Sequence, residues 1–248
     1  MTDSTAPAHR RDEIAARRRM AGRSIMPVTE PGTLTNTQLQ ERATIYPTDR
    51  VQPEVDAFRE LRTRLLAAAE GNFITLVAPV SAGSGGSFVA RNLAAAFAFD
   101  ASKRALLVDC DLRHPSQHRT MRIDPVNGGL IDYLDDEDTD IADVIYATGV
   151  GRLSLLPTGS PRETGTEYFS SLRMRVLLDS LRGRQSGHYL VLDGPPAKGA
   201  PDARILADLA DLVVLVAGYA CDTPSAIAQA AASFDPAKFA GVVFNEGV

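Results

Sequence analysis

The stretch FITLVAPVSAGSGGSFVARN, residues 73–92, decides the fold of this chain. Residues 73–78 are a continuous apolar run, which predicts a buried strand that ends at Pro79. Residues 81–87 are rich in glycine, and a helical pattern follows. The apolar face of that helix carries Phe88, Leu93, Ala96 and Phe97. Strand, glycine-rich loop and helix in this order form a phosphate cradle, because the loop's N–H groups and the helix N-terminus both attract an anion.

The end of the loop departs from the phosphate-loop pattern. That pattern closes with Gly-Lys-Ser/Thr, whereas this chain has Gly85-Gly86-Ser87. The sequence therefore predicts a cradle without its lysine. No lysine nearby in the sequence replaces it, and Arg91 is expected to point along the flank of the helix. The predicted nucleotide-binding loop consists of Gly83, Ser84, Gly85, Gly86 and Ser87.

Length and composition indicate one globular domain with a tail. The chain has 248 residues, a net charge of −5 and two cysteines, Cys110 and Cys221. Two cysteines are too few for a disulfide framework, which favours a reducing, cytoplasmic location. The negative charge argues against nucleic acid as a partner. No apolar run reaches the roughly 18–20 residues that span a bilayer, and the sequence predicts no secretion signal.

The first 50 residues are predicted to be a flexible basic and polar tail, followed by a domain at residues 51–248. Residues 9–23 are strongly basic. They are interpreted either as a solvated charge run or as an arm that docks on an acidic partner or on anionic lipid headgroups.

Two further strands end in carboxylates. An apolar run leads to Asp109, with Asp111 and Arg113 just beyond it, and a second run leads to Asp193. In an open α/β sheet the carboxyl ends of the strands face the ligand crevice, where carboxylates suit a hydrated magnesium ion or a water-activating role. Apolar strands are also predicted at residues 153–157, 212–217 and 240–245. Strands that alternate with helices predict a doubly wound, mostly parallel α/β sheet.

A helix is predicted at residues 53–69, where apolar residues recur at steps of three and four. It carries Asp56, Arg59 and Arg62, which are expected to pair with each other or with another subunit. Further helices are predicted at residues 128–134, 167–181 and 226–234.

These features together resemble the cytoplasmic ATPase domain of the bacterial tyrosine kinases, which belong to the MinD/ParA-type branch of P-loop NTPases and serve capsule and exopolysaccharide synthesis. The resemblance covers residues 53–247. The motifs that carry it are Phe58-Arg59-Glu-Leu-Arg62-Thr63, Gly83 to Ser87, Asn92-Leu-Ala94, Leu107-Val-Asp109-Cys-Asp111-Leu-Arg113, Leu156-Pro-Thr-Gly159, Asp193-Gly-Pro-Pro196, Asp202-Ala203 and Gly241-Val-Val-Phe-Asn245.

The resemblance implies a role for each matching position. The loop backbone would hold the phosphates of ATP or ADP. Ser87 and Asp109 would bind Mg²⁺, directly or through water, and Asp193 would order the second shell of the metal. Asp111 would lie beside the reacting phosphate, and Asn245 would contact the adenine. Arg59 and Arg62 resemble the family's subunit-contact motif, with Asp56 at the position where the family usually has a glutamate.

Departures from the family pattern imply a weakened enzyme. The family's two lysines would fall at Gly86 and Ser81, so both are absent. The tyrosines, at positions 46, 133, 146, 168, 189 and 219, form no cluster. The chain ends soon after Asn245, so we expect it to lack the family's last helix and tyrosine-rich tail. Gly86→Lys is expected to strengthen nucleotide binding, because the neighbouring carboxylates are retained.

Three hypotheses follow. The first is a pseudokinase, a regulatory subunit in exopolysaccharide or capsule synthesis and export. It would bind ATP or ADP weakly and be recruited from the cytoplasm to the inner membrane by a membrane-embedded polysaccharide co-polymerase, with homo-oligomers possible. The second is an ATPase or tyrosine kinase whose missing cation comes from a partner. The third is a MinD/ParA-like positioning ATPase, which the arginine motif and Asp193-Gly-Pro-Pro196 disfavour. The sequence identifies neither the polysaccharide nor the membrane partner, nor the oligomeric state.

Overall fold

A computed structural model describes residues 32–47, 52–163, 165–183, 186–199 and 201–246. These residues form a seven-stranded sheet in the order β3-β4-β2-β5-β1-β6-β7. Every neighbouring pair is parallel except β3 and β4. The strands are β1 (Ile74–Pro79), β2 (Arg104–Asp109), β3 (Tyr146–Ala147), β4 (Leu153–Leu156), β5 (His188–Asp193), β6 (Leu212–Gly218) and β7 (Phe239–Asn245).

Helices cover both faces of this sheet. They are α1 (Asn36–Gln40), α2 (Pro53–Ala68), α3 (Gly86–Ala98), α4 (Gln117–Thr120), α5 (Leu130–Asp135), α6 (Thr166–Ser170), α7 (Leu172–Arg182), α8 (Pro201–Leu209) and α9 (Pro224–Ala231). None of the helices in the described ranges is both long and apolar enough to cross a lipid bilayer.

The central strands are continuous apolar runs because both of their faces are buried. Every residue of β1 is buried. On one face of the sheet, Phe97 of α3 stacks on Tyr189 with ring centroids 4.6 Å apart, and Phe73 lies 4.9 Å from the same ring. The other face buries a second apolar cluster that includes Phe169 and Leu206. The predicted doubly wound, mostly parallel sheet is confirmed.

Several local predictions need correction. The single helix predicted at residues 167–181 is two helices, α6 and α7. They are separated at Ser171, whose extended backbone breaks the helix and whose hydroxyl caps α7 by accepting from the N–H of Met174. Helices α1, α4 and α8 and the two-residue strand β3 were not predicted from the sequence.

The predicted tail is also too long. Residues 32–47 pack against the domain, with Leu39, Thr44 and Ile45 buried. The side chain of Asn92 in α3 holds this segment, because its Oδ1 accepts from Ile45 N at 2.8 Å and its Nδ2 donates to Ala43 O at 3.2 Å. The polar composition of this segment predicted a flexible tail. The docking could not be predicted locally, because Asn92, the side chain that binds the segment's backbone, is more distant in the sequence. Residues 1–31, including the basic stretch at residues 9–23, lie outside the described residues.

Asn92→Ala should release residues 34–46 from the domain. The substitution leaves the buried N–H of Ile45 without an acceptor, which costs about 1–3 kcal/mol. In hydrogen–deuterium exchange we expect faster exchange in that segment and unchanged protection in β1, β2 and β5. Asn127→Ala, at an exposed asparagine that donates to Asp143 O, is the matched control. Equal protection of residues 34–46 in both variants would contradict the assigned role of Asn92.

Candidate functional site

Strand order brings the predicted site residues to one edge of the sheet. Strand β5 lies between β2 and β1. Asp109 is in register with Asp193, and Asp193 is in register with Val77 of β1. The two carboxylates therefore end neighbouring strands beside the loop that follows β1, as expected for a parallel sheet.

The glycine-rich loop requires glycine at two of its positions. Gly83 and Gly85 have φ values of +88° and +90°, a region that other residues adopt at a cost. Asn245 approaches Gly85 so closely that a Cβ there would lie 2.0 Å from its Nδ2, and this Nδ2 donates to Ser84 O at 3.2 Å. Helix α3 begins at Gly86. The N–H groups of its first turn have no intrahelical acceptor and can receive an anion.

Ser84 fastens the loop and does not line the cleft. It is fully buried, and its hydroxyl donates to Asp222 Oδ2 at 2.6 Å, with Ser81 O as a second acceptor within 2.8 Å. The same carboxylate oxygen accepts from Gly218 N at 2.8 Å. Asp222 thus anchors the loop to the end of β6, a role that no motif in the sequence indicated.

Gly86, which occupies the missing lysine's position, has no room for a side chain. A Cβ at this position would lie 2.7 Å from Cδ and 2.9 Å from Cγ of Pro79. The proline ring is rigid and ends β1, so it cannot move aside cheaply. The expectation that Gly86→Lys alone strengthens nucleotide binding therefore needs correction, because the substitution first has to displace Pro79.

A buried glutamine joins the two carboxylates. Asp109 Oδ2 accepts from the backbone N–H groups of Ser116 and Gln117, both at 3.0 Å. The side-chain Nε2 of Gln117 donates to Asp193 Oδ2 at 2.6 Å and to Ser87 O at 2.9 Å. Asp109, Gln117 and Asp193 are all fully buried. The arrangement ties the ends of β2 and β5 to the start of α3.

Burial raises the pKa of both carboxyl groups. Loss of hydration, together with the charge of Asp109, raises the pKa of Asp193 to about 8. Desolvation also raises the pKa of Asp109, to about 6, because its backbone hydrogen bonds oppose the effect only in part. Without a cation, the pair therefore keeps a proton near neutral pH.

The same residues fit a magnesium ion. Asp193 Oδ1 is buried and has no hydrogen-bond partner among the described residues, so it is an oxygen with an unused lone pair. The predicted donor set of one hydroxyl, from Ser87, and carboxylate oxygens suits Mg²⁺, which is held by one or two carboxylates, water and substrate phosphates. A bound Mg²⁺ would offset the negative charge of the carboxylates and of the phosphates.

Arg91 does not point along the helix flank as predicted. It is only 4% exposed. Its guanidinium donates to Gln117 Oε1 at 3.0 Å and, from Nε and Nη2, to Ala43 O at 3.3 and 3.2 Å. Desolvation lowers its pKa to about 10, and the charge of Asp193 opposes this decrease, so Arg91 stays cationic at neutral pH. It links the carboxylate pair to the docked N-terminal segment.

A cleft of about 440 Å³ opens beside the loop. Of the predicted site residues, Gly83, Gly85, Gly86, Ser87 and Asp111 line it, whereas Ser84, Asp109, Asp193 and Asn245 do not. The lining also includes three basic residues, Arg113, His114 and Lys198. Lys198 lies more than a hundred residues from the loop in the sequence, so no local pattern indicates that it could replace the missing lysine.

The predicted subunit-contact residues lie on α2 and have partners within the chain. Arg59 Nη1 pairs with Asp56 Oδ1 at 3.1 Å, and both side chains remain largely exposed. Arg62 Nη1 donates to Ala96 O at 2.8 Å. Arg59 and Asp56 therefore pair with each other, which is the first of the two predicted pairings. Because both side chains are exposed, this part of α2 is accessible to a second subunit.

The chain is similar to curated tyrosine kinases over most of its length. It is 33% identical over 197 residues to the putative tyrosine-protein kinase EpsB of Ralstonia solanacearum, covering 78% of this chain and 26% of EpsB. It is 31% identical over 213 residues to the tyrosine-protein kinase Wzc of Salmonella typhimurium, covering 84% of this chain and 28% of Wzc. The chain thus spans about a quarter of these relatives. No protein-family model matches it.

Solved structures show the same fold. The BceF tyrosine kinase domain matches with a TM-score of 0.68 and 26% identity, covering 94% of this chain and 96% of that domain. The chimerical protein CapA2B2 matches with a TM-score of 0.72 and 22% identity, covering 94% of this chain and 98% of the chimera.

Stability of the metal-free protein should depend on the buried carboxyl pair. The folded protein keeps protons that an unfolded aspartate, with a pKa of about 3.9, has already released. The free energy of unfolding should therefore fall as pH rises from about 5 to 8. Asp193→Asn should flatten that slope, as measured by urea unfolding in EDTA, whereas Asp208→Asn at an exposed position should not. A slope unchanged by Asp193→Asn would contradict the raised pKa.

Gly86→Lys should destabilise the protein by about 1–3 kcal/mol, because its Cβ meets the Pro79 ring. Pro79→Ala removes Cγ and Cδ, so the double variant Pro79→Ala/Gly86→Lys should regain most of that loss. Pro79→Ala alone serves as the control, and urea unfolding measures all three variants. Additive effects of the two substitutions would show that the contact does not control position 86.

Proposed function

This chain is a homologue of the bacterial tyrosine-protein kinases, and from that premise we propose that it acts mainly by binding magnesium nucleotide. In this proposal it is a regulatory component of an exopolysaccharide or capsule synthesis and export system. Phosphotransfer is weak, so the protein is a pseudokinase. The observation that carries the proposal is the loop itself, in which position 86 is closed to a side chain by Pro79 while the rest of the cradle is kept.

Nucleotide binding is supported by the groups that remain. The phosphates of ATP or ADP would bind the N–H groups at the start of α3. Ser87, Asp109 and Asp193 would hold Mg²⁺, and Asp111 would lie beside the terminal phosphate in the cleft. Asn245, which reaches the loop at Ser84 O, would contact the adenine. Loss of one charge-assisted hydrogen bond weakens binding by about 1.5–3 kcal/mol and does not abolish it.

Phosphotransfer suffers more than binding does. Charge accumulates on the transferred phosphoryl group, and a cation placed on it contributes roughly 10³–10⁵ in rate. No side chain from position 86 can supply such a cation. We therefore expect bound nucleotide to persist and to serve as a conformational signal.

The proposed partner is a membrane-embedded polysaccharide co-polymerase that recruits the protein from the cytoplasm to the inner membrane. EpsB and Wzc are about four times as long as the part this chain matches, so they have ample chain for further domains. The exposed Asp56 and Arg59 on α2 would serve the contact between copies of the domain.

A second candidate is an ATPase or tyrosine kinase completed by a cation from a partner. The retained Ser87, Asp109, Asp111 and Asp193 favour this alternative, since a protein that never acts on nucleotide has no evident need for the full acidic set.

Calorimetry should find that ADP binds in the micromolar range or more weakly, and only with Mg²⁺. Incubation with ATP and Mg²⁺ should give slow hydrolysis and little phosphotyrosine by mass spectrometry, because position 86 offers no cation to the transferred phosphate. Asp111→Asn is the control that sets the background rate of hydrolysis. Sub-micromolar binding without Mg²⁺ would contradict the proposed site, and abundant phosphotyrosine on the unmodified protein would favour the second candidate.

A further inference from the structure

The chain has three lysines, of which two lie at one edge of the sheet and the third at the opposite edge. Lys103 pairs with Asp100 at 2.7 Å just before β2, and Lys238 donates to Ala207 O and Asp208 O at 3.1 and 2.8 Å just before β7. Both precede parallel strands and so lie at the amino edge of the sheet. Lys198 follows β5 and lies at the carboxyl edge, where the phosphate loop is.

The backbone around Lys198 is fixed to the phosphate loop. Ala197 N donates to Pro79 O at 2.8 Å, and Lys198 N donates to Val80 O at 3.2 Å. These bonds extend the edge of β1 beyond the strand and hold residues 197 and 198 beside the start of the loop. Lys198 lines the cleft together with Gly83, Gly86 and Ser87.

The Lys198 ammonium is available to a ligand. Within the described ranges it makes no ion pair and its side chain makes no hydrogen bond, and the residue is exposed. Desolvation acts to raise the pKa of Asp222, the residue that anchors Ser84, but hydrogen bonds to Asp222 and, to a smaller extent, the charge of Lys198 lower it.

The other two basic residues of the cleft are already engaged. Arg113 Nε donates to Glu163 O at 2.6 Å. His114 faces Asp111, with 3.9 Å between Nδ1 and Oδ1. Lys198 therefore differs from both, because its side chain makes no hydrogen bond or ion pair within the described residues, although the Nη groups of Arg113 also keep donors to spare.

We propose that Lys198 binds the phosphates of the magnesium nucleotide in place of a side chain at position 86. This inference rests on the proposed nucleotide binding and assigns Lys198 to the two phosphates that ADP carries, so the transferred phosphoryl group of ATP still has no cation. The ring of Pro79 leaves no room for a side chain at position 86. The carbonyl oxygen of Pro79 accepts from Ala197 N, next to Lys198. Lys198 enters the cleft from the end of β5, the strand beside β1. Its positive charge would strengthen the binding of the phosphates.

Binding of ADP with Mg²⁺ to substituted proteins tests the assignment. Lys198→Ala should weaken the affinity about tenfold at low salt, the effect expected for one lost charge-assisted hydrogen bond. Lys198→Arg should keep most of the affinity because it keeps the charge. Lys103→Ala, which removes a lysine at the opposite edge, should leave the affinity unchanged. The melting temperature should not change in Lys198→Ala, since the side chain supports no contact in the described structure.

Acetylation of lysines, mapped by mass spectrometry, gives a second readout. ADP with Mg²⁺ should protect Lys198 and leave the reactivity of Lys103 and Lys238 unchanged. Equal affinity of Lys198→Ala and the unmodified protein, with no protection of Lys198, would overturn the assignment and leave the proposed function standing. Absence of any ADP binding to the unmodified protein would overturn the proposed function itself.

Discussion

The hydrogen bond from Gln117 to Asp193 is the interaction on which the site depends. Two fully buried carboxylates end neighbouring strands. Desolvation raises the pKa of both, and the charge of Asp109 raises that of Asp193 further. One glutamine donates to both, with its backbone N–H on Asp109 and its side chain on Asp193. Its second bond, to Ser87 O, extends the constraint to α3. The acidic pair and the phosphate loop therefore hold each other in place.

Arg91 carries this constraint outward to the N-terminal segment. Its guanidinium fixes the Gln117 carbonyl oxygen and at the same time binds Ala43 O. A buried arginine is tolerated there because several acceptors surround it. Together with Asn92, Arg91 makes residues 32–47 part of the domain. The nucleotide site and the docking of this segment thus share one helix and one cation.

Pro79 gives the loop its second constraint. Its ring fills the space that a Cβ at position 86 needs, and its carbonyl accepts from Ala197. Restoring a lysine at position 86 would therefore require a change at Pro79 as well. The same geometry brings a different lysine to the cleft from β5, so charge at the loop depends on the path of the chain between distant strands.

The sequence by itself determined the sheet, the loop and the acidic strand ends. Continuous apolar runs such as residues 73–78 specify buried parallel strands, and a glycine-rich loop before a helix specifies an anion site, because both follow from local backbone chemistry. Three features were decided only by the tertiary structure: the docking of residues 32–47, the bridge through Gln117, and the approach of Lys198. Each joins groups that are dozens of residues apart or more, and no local propensity encodes such contacts. They exist because β5 lies between β1 and β2, which brings the ends of three strands within reach of each other.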